Sequence, residues 1–359
     1  MLTQRGDEAV RRVVGFPLGL NLAAPPRLQP ETGGLQEGES PYMKNVLTRS
    51  GHIVPGRVIT QDVWTFGETI RYAFIFKQDY VYWLITPGTT KCWVYNATAP
   101  VEKTPTPAFT NAPNIIWDGV QMINGFTPVC VITNRVDKPH YWAGGSGAFT
   151  ILSNAYIART IAGWQDRLFE GGVYDTSAWF ANRIRWSKVG DITNYSDPSA
   201  GFMDLKDEGD PIERLRKIQS NMLLVLRRGS SYLGVPQNDY LNPVGFQRIH
   251  NFGIWAPATL QELVRGASWM FLSDDDIYRV DGTNFKDVGR KIRRELFRTV
   301  SATDLPYAWA WVDQREKEYY LVTKMADGTT RAWIHNFAED TWTIQDLTGT
   351  QYIVTWVEQ

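Results

Sequence analysis

From about residue 65 the chain alternates apolar runs of mostly four to eight residues with short polar turns. Runs of that length, rich in aromatic and β-branched residues and bounded by Gly, Asp and Asn, predict strands. The stretch RIRWSKVGDITNYSDPSAGFMDL (residues 183–205) is typical. Ile184 and Trp186 alternate with Arg183, Arg185 and Ser187, a polar link passes through Asp197-Pro198, and a second apolar run ends at Leu205. Nothing in it suggests a catalytic group.

The runs group into units that open near residues 66, 114, 161, 215, 261 and 308, a spacing of roughly 46 to 54 residues. That period suits four-stranded propeller blades. The links are hairpin-like in chemistry, with Asp281-Gly282, Asp327-Gly328 and Gly145-Ser146-Gly147 among them. The reading is an all-β chain, a β-propeller of six four-stranded blades, with five or seven as alternative counts. A β-sandwich followed by a second β domain is the competing architecture. The spacing persists over about 280 residues, more than one sandwich would need, and favours the propeller.

Two regions break the rhythm. Residues 1–41 are rich in Pro and Gly with scattered apolar positions and predict an extended N-terminal arm, leaving 42–359 for the propeller. Between the fifth and sixth units, within about 289–305, Ile292, Leu296 and Val300 recur at helical spacing. A short amphipathic helix is expected there, with Arg290, Lys291, Arg293, Arg294 and Arg298 on its basic outer side. A ring must also join its first and last blades, so either QYIVTWV (351–357) or the run from Val46 to Val58 is expected to complete the closing blade.

Composition narrows the chemistry. Fifteen tryptophans, far above ordinary usage, fit pleated sheets and a large core. A formal net charge of −1 argues against a globally basic nucleic-acid binder but leaves room for a local patch. Cys92 and Cys130 each sit in an apolar run and read as buried free thiols. The four histidines fall in separate units, so no metal site is expected. Asp274-Asp275-Asp276 reads as a solvated turn. No nucleophile elbow, phosphate loop or dinucleotide fingerprint is present, no complete Asp-box turn of the sialidase kind appears, and no catalytic residue or cofactor is nominated. Neither a secretory leader nor a membrane span is expected. The basic residues Arg214, Arg216, Arg227 and Arg228 are candidates for a channel lining or a subunit interface, with phosphate contact as the sharper alternative to a solvated face.

Several segments, in order, resemble the tail nozzle proteins of short-tailed double-stranded-DNA bacteriophages, also called packaged-DNA stabilisation or tail accessory proteins. They are Asn45-Val46 with Gly51 and Gly56-Arg57, then GWQDRLFEGGVY with RIRWSKVGDITNY, LLVLRRGSSYLGV, GASWMFLSDDDIYRVDG, and DQREKEYYLVT with AWIHNFAEDTWTIQD. The resemblance covers most of the chain from about residue 40. It implies a non-enzymatic virion protein, made in the host cytoplasm. Such a protein forms a ring, usually a hexamer, below the portal and adaptor rings. The implied partners are further copies of the chain, the portal-adaptor ring, tail fibres or spikes, and double-stranded DNA passing without sequence specificity, with Arg290, Lys291, Arg293, Arg294 and Arg298 as candidate contacts to a neighbouring subunit or the adaptor. The chain is short for that family and shows no large inserted domain. A baseplate or tail propeller of a longer-tailed phage and a carbohydrate-binding propeller are the alternative functions.

Overall fold

The computed structural model describes residues 19–23, 39–40, 43–44, 46–49, 52–55, 66–96, 99–113, 115–175, 178–206, 209–218, 221–239 and 241–347. Twenty-four of the strands form six antiparallel sheets of four, each a meander of consecutive strands, arranged as a β-propeller. The first strands of the six blades are Phe74–Gln78, Asp118–Asn124, Ile157–Trp164, Ile212–Ile218, Gln261–Val264 and Trp309–Asp313. The sequence spacing located five of these openings to within about four residues; the first lies eight residues later than expected. In the third blade, the segment quoted above supplies part of the third strand, Ala178–Trp186, and all of the fourth, Gly201–Asp204. The link between them is held in place: the Trp186 indole N–H and the Arg167 guanidinium both donate to the Ser199 carbonyl.

The core divides into slabs between consecutive blades. Phe76, Cys92, Trp117, Cys130 and Trp142 pack between blades one and two, where both cysteines are free and buried. Val129, Ile161 and Leu168 fill the next slab, Phe169, Trp186 and Leu223 the third, and Leu224, Phe271 and Val280 the fourth. Leu272, Tyr319, Trp333 and Trp342 lie between blades five and six. The tryptophans answer to this geometry. Their rings fill wedge-shaped gaps, and their N–H groups fasten loops, with Trp117 donating to the Gly88 carbonyl and Trp342 to that of Val288.

Close backbone approaches are part of the packing. A Cβ on Gly253 would fall on the Arg227 carbonyl oxygen, whereas one on Gly147 would meet nothing within 4 Å. Gly253→Ala is expected to cost about 1–3 kcal/mol, because backbone cannot move aside as a side-chain tip can. Gly147→Ala should leave stability almost unchanged. Urea midpoints of the two variants test the contrast.

Most of the predicted N-terminal arm, and residues 348–359 with the QYIVTWV run, lie outside the described residues. Gly19–Leu20 pairs in parallel with Glu39–Ser40, and Leu20 is buried in the slab between blades five and six. Val46–Arg49 and His52–Pro55 form a two-stranded hairpin of their own, with Leu47 packed on Trp311, Tyr320 and Ile334 of blade six. This corrects the closure expected from residues 46–58: among the described residues blade six draws four strands from 309–347, and the hairpin is a separate sheet laid on it, with a single parallel bridge from Lys44 to Ile344 just ahead of it. The helix spans only Arg293–Thr299, between blades five and six, with Ile292, Leu296 and Val300 buried as their spacing implied. Asp276 is a second correction. It is buried rather than solvated, accepting from the Ile277 N–H and from Arg293, and so ties the helix to the turn. Among the described residues no helix is long and apolar enough to cross a membrane.

Candidate functional site

The inner strands carry charged residues where a sheet buried on both faces would be apolar, and these residues meet inside the ring. Asp118 opens the first strand of blade two and is fully buried. Arg214 and Arg216, from the first strand of blade four, reach its carboxylate at 3.4 and 2.6 Å. The same carboxylate accepts from the Thr160 hydroxyl and the Ile161 N–H of blade three. Arg214 also donates to the Pro257 carbonyl ahead of blade five and to the Trp117 carbonyl of blade two. Tyr72, leading into blade one, feels the field of this cluster, and Tyr319 of blade six donates to the Thr259 carbonyl. Side chains from non-adjacent blades touch, so the middle of the propeller is filled.

Burial alone would raise the Asp118 pKa, but the charges of Arg216 and Arg214 and the hydrogen bonds from Arg216 and Thr160 outweigh it and hold it down to about 2. Burial and the Asp118 charge push the Tyr72 hydroxyl upward.

A second cluster lies beside the first, where first strands begin and second strands end. Glu213, buried, accepts from Arg135 at 2.8 Å and Arg159 at 2.6 Å, and Arg228 stands 3.6 Å from it. Arg135 comes from the loop after the second strand of blade two, Arg159 from the first strand of blade three, and Arg228 from the turn after the second strand of blade four. Arg228 also stacks over the Trp255 ring at 5.1 Å. Burial lowers the Arg135 pKa to about 10, which leaves the group charged at neutral pH.

The nine basic residues singled out in the sequence separate into distinct places. Arg214 and Arg227 are buried within the chain, and their guanidiniums are committed internally: Arg214 as above, Arg227 to the Asp210 carbonyl and the Tyr232 hydroxyl. As surface contacts for a channel or a neighbouring subunit they are therefore corrected. Arg216 is mostly enclosed by Asp118, and Arg228 alone of this group is substantially open, at 45%. Arg290, Arg293, Arg294 and Arg298 are exposed around the helix, with Arg293 paired to Asp276 and Arg298 to Glu295, while Lys291 is half-buried. The residues missed were Asp118, Arg135, Arg159 and Glu213. For Asp118, Arg159 and Glu213 the signal was charge within first-strand runs, while Arg135 lies in a loop, and only topology shows that these positions face one another.

No family model matches this chain, and no curated protein matches it. Among solved structures, a quinonprotein alcohol dehydrogenase-like protein from Bacteroides thetaiotaomicron aligns at 10% identity, covering 79% of this chain and 68% of its own, with a TM-score of 0.44. Virginiamycin B lyase from Staphylococcus aureus aligns at 10% identity over 79% of this chain and 86% of the lyase, TM-score 0.45. The U3-55K structure aligns at 8% identity over 82% and 86%, TM-score 0.46. Similarity at this level carries no inference about activity.

Proposed function

We propose that this protein is a structural component of a bacteriophage tail, a nozzle subunit that assembles into a ring below the portal and adaptor and retains packaged DNA until ejection. The observation that carries this reading is the filled middle of the propeller. Arg214, Asp118 and Arg216 occupy the place where a propeller enzyme would admit a substrate. Work therefore falls to the outer surfaces. In this reading DNA passes through the middle of the assembled ring, between subunits, not through any one propeller. Closed blades suit that role because they are stiff and offer few free strand edges. A net charge of −1 suits a channel through which duplex must slide, since a strongly cationic wall would hold phosphates.

The exposed arginines on and just ahead of the inserted helix, Arg290, Arg293, Arg294 and Arg298, are the proposed contacts to a neighbouring subunit or the adaptor. Fibres or spikes would dock on the ring. The test is negative-stain imaging of the purified full chain, alone and mixed with DNA-filled, tail-less heads. Rings, or density added at the portal vertex together with slower DNA leakage, are expected. A protein that stays monomeric and ignores the heads would overturn the reading and direct attention to glycan binding.

A further inference from the structure

The Glu213 cluster holds more positive charge than the inside of a fold needs. Glu213 has two carboxylate oxygens and both are engaged, Oε2 by Arg135 and Oε1 by Arg159. Arg228 approaches Oε1 only to 3.6 Å, too far for a hydrogen bond. Taken with the adjoining cluster, five guanidiniums (Arg135, Arg159, Arg214, Arg216 and Arg228) face two carboxylates, Asp118 and Glu213. Glu262 adds to the negative field at Arg216 and accepts from the Gly266 N–H, and two further acids have partners of their own. Asp137 accepts from the Thr110 N–H and hydroxyl and from Asn134, and Asp210 accepts from the Gly229 N–H.

The arginines differ in how their donors are used. Arg135 spends Nε and both terminal nitrogens on Arg159 and Glu213. Arg159 makes one such bond, and Arg228 is held by its stacking on Trp255. Their side chains are 30% and 45% exposed, so their remaining N–H groups reach solvent around a shared oxygen of Glu213. The backbone makes room for this. Gly172 adopts a φ of +60°, and a Cβ there would press on the Arg159 stem at 2.9 Å. Two guanidinium forks held in place beside excess positive charge match the oxygens of a compact oxyanion, and a planar fork binds phosphate in bidentate fashion.

We propose that Arg159 and Arg228, backed by Arg135 on Glu213, form an anion-binding site for a phosphate-type oxyanion, either inorganic phosphate or a phosphate monoester. This proposal does not depend on the nozzle reading and stands or falls separately from it.

The test uses the full-length protein, titrated with sodium phosphate against sodium chloride of equal ionic strength, and reads binding by calorimetry and by thermal shift. Saturable binding of phosphate is expected, with a simple phosphate monoester competing for it. Arg228→Gln and Arg159→Gln should each weaken binding about tenfold, the loss of one hydrogen bond to a charged group. Arg159→Lys keeps the charge, loses the fork and should fall between. Lys286→Gln, exposed on the fourth strand of blade five and paired with Asp340, should bind like the parent. Circular dichroism confirms that each variant is folded, and the exposed position of Arg228 makes that variant the safer one. Three results would each overturn the proposal: phosphate acting no differently from chloride, binding that persists in folded Arg228→Gln and Arg159→Gln, or binding of a short DNA duplex with none of free phosphate.

Discussion

Replacing Asp118 by Ala is expected to destabilise the protein by about 3–5 kcal/mol, the usual cost of removing one partner from a buried ion cluster. The variant would leave Arg214 and Arg216 facing each other with no carboxylate between them. Arg214 is 2% exposed, so water cannot take over. The Thr160 hydroxyl and the Ile161 N–H would also lose their acceptor. Against a typical domain stability of about 5–15 kcal/mol this is a large fraction. Asp118→Asn keeps an acceptor oxygen but not the charge, and should recover only part of the loss.

The same group sets an acid limit. Its folded pKa, about 2, lies below the ordinary 3.8, so its contribution is complete above pH 3.8 and is lost as the pH falls toward 2. Urea unfolding of parent and variants at pH 7 and pH 3 measures both effects. A loss below about 1 kcal/mol at pH 7 would mean that the cluster is no more than a surface-like ion pair.

Glu170 acts in the opposite direction. It is fully buried in the second strand of blade three, paired across the sheet with Arg185, and it accepts from the Tyr195 hydroxyl. Arg185 lies between the Tyr156 and Tyr195 rings at 3.6 and 4.3 Å and makes no ion pair with it. Burial therefore prevails over the attraction of Arg185 and the hydrogen bond from Tyr195, and raises the Glu170 pKa from 4.5 to about 7. A carboxyl that prefers its proton when folded favours the folded state at low pH. That advantage declines as pH rises from 4.5 through 7, and ionisation costs about 3 kcal/mol once complete.

Glu170→Gln removes the titration while preserving an acceptor for Tyr195. The variant should match the parent near pH 4 and exceed it by up to about 3 kcal/mol at pH 8. Burial lowers the pKa of His140 and His335, so they contribute with the opposite sign. Because parent and variant share them, the difference between the two proteins isolates Glu170. A difference that does not change between pH 5 and pH 8 would show that this carboxyl is ionised throughout.

Strand composition and turn chemistry specified much of this molecule locally. Trp, Tyr, Val and Ile at alternating positions, with Asp-Gly and Gly-rich turns, place strands wherever they occur, because pleating and hairpin twist depend on near neighbours. A spacing of close to fifty residues then implied blades, and the register of Ile292, Leu296 and Val300 implied a helix with its buried side. Closure of the ring was not legible, since whether the Val46–Pro55 hairpin joins blade six or covers it depends on contacts almost three hundred residues away.

The charged clusters were equally hidden. Arg214 and Arg227 look like surface arginines in sequence; the convergence of inner strands encloses Arg214, and Arg227 is buried at the end of a second strand against Asp210 and Tyr232. Asp118 and Arg216 are 98 residues apart, and Arg135 and Glu213 are 78 apart, so no local pattern pairs them. Sequence alone determined the repeating unit, because backbone geometry answers to adjacent residues. Tertiary structure decided which charges meet, because that depends on how blades from distant parts of the chain are brought around one axis.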